Sequence, residues 1–253
     1  MKNVRILIAG ILMLLSGITT SFSQTSDTLI NITDVQGLKQ GFWEEVENRI
    51  FSRGFYIDSK RDGTWTTYHP QGVISEITNY RLGVKEGQHV VVDRRGFLQA
   101  DETFRNGVLH GLSTNYMNGS RKLSEVSYRN GVEDGVKQMY YDNGKLQEQS
   151  FFKNGKRDGR STWYDQNGKP VAEFNYTAGN FDGEHKTFYP NGQIAKFQHY
   201  VMGVLQGKYE EFYESGKPKV SGQMIDGLKD GIWFEYDENG VAKKLKFSKG
   251  EQK

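Results

Sequence analysis

Three glycines recur through this chain in a fixed register. The first falls at Gly63, Gly87, Gly111, Gly135, Gly159, Gly183, Gly207 and Gly231, every 24 residues. The second follows nine residues later, from Gly72 to Gly240, with a one-residue slip at Gly119. The third closes each unit, from Gly83 to Gly227, and slips once, at Gly250. A register held over eight units means a repeat array, in which each unit buries its apolar side only against its neighbours. The stretch Asp134 to Gly159 shows the unit in full. Two short runs, Val136–Tyr141 and Lys145–Phe152, are each closed by an Asn-Gly signal, which reads as a β-hairpin followed by the turn that launches the next one.

The array occupies residues 37–250, with a degenerate capping unit at 37–62 and eight regular units at 63–250. The capping unit lacks the middle glycine but ends in Lys60-Arg61-Asp62-Gly63, the same four residues as Lys156 to Gly159. Residues 24–36 read as a flexible lead-in and 251–253 as a tail.

The N-terminus is a separate object. Lys2 and Arg5 precede an uncharged apolar run from Ile6 to Ile18, too short to span a bilayer comfortably. Ser21-Phe22-Ser23 then places small residues three and one before a cut ahead of Gln24, the pattern of a secretory signal peptide over residues 1–23. The expectation is an exported protein: periplasmic, cell-surface or secreted. With Cys 0, disulfides and thiolate chemistry are excluded, so the sheet must hold itself together. Cleavage removes Lys2 and Arg5 and leaves 31 basic residues against 31 acidic ones. That balance does not favour electrostatic capture of nucleic acid.

Positions are numbered here from each unit's first glycine, taken as zero. Position 5 holds Tyr68, Val92, Tyr116, Tyr140, Tyr164, Phe188, Phe212 and Tyr236. Position 17 holds Tyr80, Phe104, Tyr128, Phe152, Tyr176, Tyr200 and Met224. Such columns are aromatic ladders across neighbouring strands. Pro70 and Pro190 at position 7 cannot donate to a ladder there, which argues for a type I turn with a left-handed glycine at the hairpin tip. Paired positions are then expected to sum to 16: Trp65 meets Ile77, His185 meets Phe197 and Trp233 meets Leu245. This register puts positions 5 and 17 on one face, as its core, and even positions on the other. The fold class is all-β, an elongated antiparallel meander of about eighteen short strands of 24-residue hairpin repeats. A parallel β-helix is disfavoured because a tight glycine turn reverses the chain.

These units, such as Asp158-Gly159 leading to Trp163-Tyr164-Asp165-Gln166-Asn167-Gly168, and Asp230-Gly231-Ile232-Trp233-Phe234-Glu235-Tyr236 leading to Asn239-Gly240, resemble the bacterial variant of the MORN repeat. The resemblance covers about residues 37–250. It implies a non-catalytic module that binds proteins and, in some members, associates with membranes. The same variant repeats occur in YwqK-family antitoxins, whose cytoplasmic setting differs from the export signal of this chain.

No residue pattern points to an enzyme or a cofactor. His69, His89, His110, His185 and His199 form no ligand pair at metal-binding spacing. Asp62, Asp134, Asp158, Asp182 and Asp230 recur just before the first glycine, where a carboxylate bonds turn N–H groups. No phosphate loop or nucleophile elbow is present. The expected partner is therefore a protein, with an envelope glycan or membrane surface as the alternative. Aromatics on even positions cluster in the second half of the array, at Tyr141, Trp163, Tyr189, Tyr209, Tyr213 and Trp233, and are the candidate partner-binding residues. Protein recovered outside the cytoplasm should have the intact mass of a chain starting at Gln24. Retention of Met1 would make the segment an anchor.

Overall fold

The computed structural model describes residues 29–253. The expected signal segment and the expected cut before Gln24 lie outside the described residues. Twenty-two antiparallel strands form one open sheet, and each full strand pairs with the strands before and after it. Four strands have two residues only. Lys156–Arg157 and Asn180–Phe181 are the detached leading pieces of Gly159–Tyr164 and Gly183–Phe188. The eighteen expected strands therefore run from Lys39–Glu47 to Ala242–Ser248. The lead-in contributes Ile32–Thr33, paired with Gln40 and Lys39. The tail contributes Glu251–Gln252, paired with Ser248 and Phe247.

Each glycine has its own turn. The third sits in a two-residue hairpin in which two successive residues have positive φ, as at Asn106 and Gly107 (50° and 81°). Asn-Gly is the favoured pair for this turn because both residues must be left-handed. The second glycine closes the hairpin tip. His69 N–H donates to Val73 O and Gly72 N–H to His69 O, the expected type I turn with a left-handed glycine. The first glycine lies inside a strand. Three residues, Glu86, Gly87 and Gln88, face Asn79 alone, since Tyr80 pairs with Lys85 and Thr78 with His89. This wide bulge bends every alternate strand.

The expected register is corrected by one residue. Trp65 pairs with Thr78 rather than Ile77, and His185 with Gln198 rather than Phe197. The tip pair Tyr68–Ile74 obeys the expected sum of 16. A bulge at position 12 then adds one, and Thr67 meets Glu76. Ser75, Gln99, Leu123, Gln147, Val171, Ala195 and Lys219 occupy this extra position. Of the eight regular units only the last lacks the bulge, so Trp233 does meet Leu245.

A one-residue shift moves a strand's side chains to the other face. Positions 5 and 17 therefore lie on opposite faces, not on one. The inner face carries positions 0, 2, 4, 13, 15 and 17; the outer face carries 1, 3, 5, 14 and 16. Along the inner face, positions 2 and 15 alternate strand by strand as one column. Trp65, Thr78, His89, Ser113, Val126, Ser150, Ser161, His185, Trp233 and Leu245 of this column are buried, and Glu102, Lys137, Phe174, Gln198 and Tyr209 are half-buried. Even positions 0, 2 and 4, expected to be surplus, thus line the core together with odd positions 13, 15 and 17.

At two points the column is notched. A Cβ on Gly54 would meet the Trp65 ring at 2.5 Å, and one on Gly222 would meet the Trp233 ring at 2.2 Å. Both rings lie flat on bare backbone and are 1% exposed. Neither glycine has positive φ, so alanine is excluded by space and not by backbone conformation. G222A should cost about 1–3 kcal/mol by overpacking, read as a lower urea midpoint with an unchanged slope.

Candidate functional site

None of the six even-position aromatics is exposed. Trp233 is buried, and Tyr209 packs against it with ring centroids 5.4 Å apart. Trp163 lies on the inner face, 5.2 Å from Phe174 and 5.3 Å from the Arg157 guanidinium. Tyr141, Tyr189 and Tyr213 share position 6. Their hydroxyls donate to the carbonyls of Tyr164, Phe212 and Tyr236, each at position 5 of the next unit, at 2.7, 2.8 and 2.7 Å. His69, at the same position, makes the same contact with Val92 O. These side chains brace one hairpin tip against the next. The structure does not assemble the six into an outward aromatic patch.

The position 5 ladder is half-buried on the outer face. Within it Tyr140 donates to Glu125 and Gln138, and burial together with the Glu125 carboxylate pushes its phenol up to about 12. The position 17 ladder covers the inner column instead. Phe104 packs against His89 at 5.7 Å and Tyr200 against His185 at 4.5 Å.

The repeated carboxylates also serve the scaffold. Asp62, Asp134, Asp158, Asp182 and Asp230 accept the N–H of Leu82, Asn154, Ala178, Met202 and Lys249, the first residue of the turn about 20 residues on. Glu86, His110 and Gln206 do the same where the aspartate is replaced. Arg157 shows how a charge is held inside. It bonds Ser150 Oγ at 2.5 Å, Ser161 Oγ at 3.1 Å and Glu148 at 2.6 Å, between the rings of Phe152, Trp163 and Tyr176. No described group of three or more His, Asp or Glu is placed to hold a metal ion.

What the scaffold does not consume lies where the period is irregular. On the outer face, positions 1 and 16 form the most exposed row. It is polar at Thr64, Gln88, Arg160, Glu184 and Lys208. Between these it turns apolar: Leu112 is 49% exposed, Val136 37% and Phe151 38%, with Val136 paired to Phe151. The sequence carried this row as period-two alternation, but only the bulge-corrected register shows which face it takes. At the hairpin tips, an open groove of about 440 Å³ is lined by Leu123, Tyr140, Tyr141, Asp142, Asn143, Gln147 and Gln166. It adjoins the turn at Gly119, where Ser120 takes the positive φ that a glycine takes in the other units.

Two histidines sit in the inner column. Burial lowers the His89 pKa, with Lys85 adding to the effect and Glu76 and Glu102 opposing it. Burial likewise lowers that of His185, against its bond to Asn175 O. A depressed histidine stabilises the fold fully above its unfolded value of about 6.5, and loses that stability as pH falls through the lower folded value. Glu45, Glu125 and Glu211 are also lowered and are lost only in more acidic solution. The melting temperature should therefore fall from pH 6.5 to 5, and H89Q/H185F should flatten that slope in thermal melts.

Residues 61–81, 133–154, 157–178, 181–201, 205–226 and 229–247 match the MORN repeat variant family model, half of the chain. Residues 82–132, with the Gly119 turn and Leu112, fall between two matches. No curated protein matches this chain. Among solved structures it is similar to a selenomethionine-substituted virginiamycin B lyase from Staphylococcus aureus. That likeness is 10% identical over 83% of this chain and 85% of that one, with a TM-score of 0.16, too low to carry an argument. On its six matched repeats, the chain belongs to the MORN repeat variant family.

Proposed function

We propose that this protein is an exported, non-catalytic repeat scaffold that binds a protein partner on the outer face of its sheet. One observation carries the reading: the exposed apolar row of Leu112, Val136 and Phe151 in a position that is polar in most other units. Such a row on a continuous hydrogen-bonded sheet is a preorganised docking surface. The row is not repeated from unit to unit, which suits one folded partner better than a repetitive polymer. An antitoxin-like role, in which the partner is a toxin, is one form of this function.

A second reading rests on the groove at the hairpin tips. Tyrosine rings beside Asn143, Gln147 and Gln166 have the chemistry to hold a neutral glycan.

L112S/V136S/F151S should melt within a few degrees of the unaltered chain and lose the protein captured from envelope extract. Retention of that protein by the triple variant would overturn the proposal. Sedimentation with purified cell wall, lost in Q147A/Q166A, would favour the glycan reading instead.

A further inference from the structure

An open sheet has two edge strands, and here they carry opposite charge. The N-terminal edge, Lys39–Glu47, presents Glu44, Glu45 and Glu47. The C-terminal edge, Ala242–Ser248, presents Lys243, Lys244 and Lys246, all exposed. Among the described residues, Glu44, Glu47 and the three lysines make no ion pair, while Glu45 holds Lys39 and Arg61 at 2.8 and 3.0 Å. Like charge at one edge discourages pairing of two identical edges. It does not discourage pairing of one end with the other.

Strand direction and register both permit that second pairing. The eighteen full strands alternate in direction, so the last runs opposite to the first. Position 15 of one unit meets position 2 of the next at Thr78–His89, Glu102–Ser113, Val126–Lys137 and Gln198–Tyr209. Because the last unit lacks the bulge, Leu245 takes the place of position 15, and Trp43 is position 2 of the capping unit. The same register carried past the end sets Leu245 opposite Trp43, Lys244 opposite Glu44, Lys243 opposite Glu45 and Ala242 opposite Val46.

Hydrogen-bond parity agrees independently. Lys253 N–H donates to Lys246 O on the outer side of the last strand, so Lys244 and Ala242 also face outward. Asn31 N–H donates to Phe42 O on the outer side of the first strand, so Glu44 and Val46 face outward there. Outward residues therefore meet outward residues, as a ladder requires.

We propose that these edges dock a second copy of this chain, head to tail, extending the sheet through the Lys243–Lys244 and Glu44–Glu45 segments. The contact is heterologous and does not close, so it builds linear chains of copies. The base of each edge is held by the chain's own two-residue strands, Ile32–Thr33 and Glu251–Gln252, and the Glu44 N–H donates to Asn31 Oδ1 at 2.8 Å. These short strands lie where the incoming copy would run and act as caps that must yield. This goes beyond the partner reading, since it uses the two ends of the sheet and not its outer face.

Sedimentation velocity of the purified chain tests it. The weight-average mass should rise with concentration past about twice the monomer mass, without a plateau at the dimer, as mass action on an open contact requires, and fall back in about 1 M salt, where the Debye length is ~3 Å. Deleting Glu251–Lys253 should shift assembly to lower concentration. K243E/K244E alone and E44K/E47K alone should stay monomeric, each with an unchanged melting temperature. An equal mixture of the two should assemble. A monomer at every concentration both with and without residues 251–253 would overturn the proposal. So would assembly that persists in K243E/K244E, or a mixture that stays monomeric.

Discussion

A sheet one layer thick has no second layer to bury against, so it must make its core from its own bent surface. The bend comes from the first glycine of each unit, where three residues face one on the neighbouring strand. The bend turns position −2 and position 17 over the column at positions 2 and 15. Arg61 lies 4.2 Å from the Trp65 ring and Lys229 lies 4.3 Å from the Trp233 ring. Tyr56 closes on Trp65 at 4.8 Å, edge to face. Cation and ring together exclude water from a core one residue wide.

So narrow a core tolerates polar members only if each is bonded. Ser150 and Ser161 are fully buried, and both accept from Arg157. Thr78 bonds both Glu76 and His89. No buried side-chain nitrogen or oxygen among the described residues lacks a partner. The same economy governs the turns, where each carboxylate ahead of a first glycine is committed to a later turn. Residues that repeat are therefore occupied in holding the array. The proposed contacts use residues that break the pattern and the two outermost full strands.

The two ends share one problem with every open sheet, namely unpaired backbone groups. Here the chain answers it with two-residue strands and with charge. The charges are of opposite sign, and a continuation of the internal register brings them together.

Much of this was legible in the sequence. The glycine period alone specified an antiparallel meander, since left-handed turns need glycine or asparagine at fixed places, and the strand number followed from the period. The turn type at the second glycine could be read from Pro70 and Pro190, and the structural role of the recurrent aspartates from their repetition. The face that holds the core could not. That is decided by a bulge at position 12, where Ser75, Leu123, Val171 and Lys219 serve equally, because an extra residue in a ladder asks for no particular side chain. One unmarked residue moved Trp163 and Tyr209 from an expected docking surface to the half-buried lining of the core. The sequence by itself determined the period, the turns and the direction of every strand, because these depend on backbone freedom at single residues. Only the tertiary structure decided which side chains are buried, because that depends on register, and register is a property of two strands together.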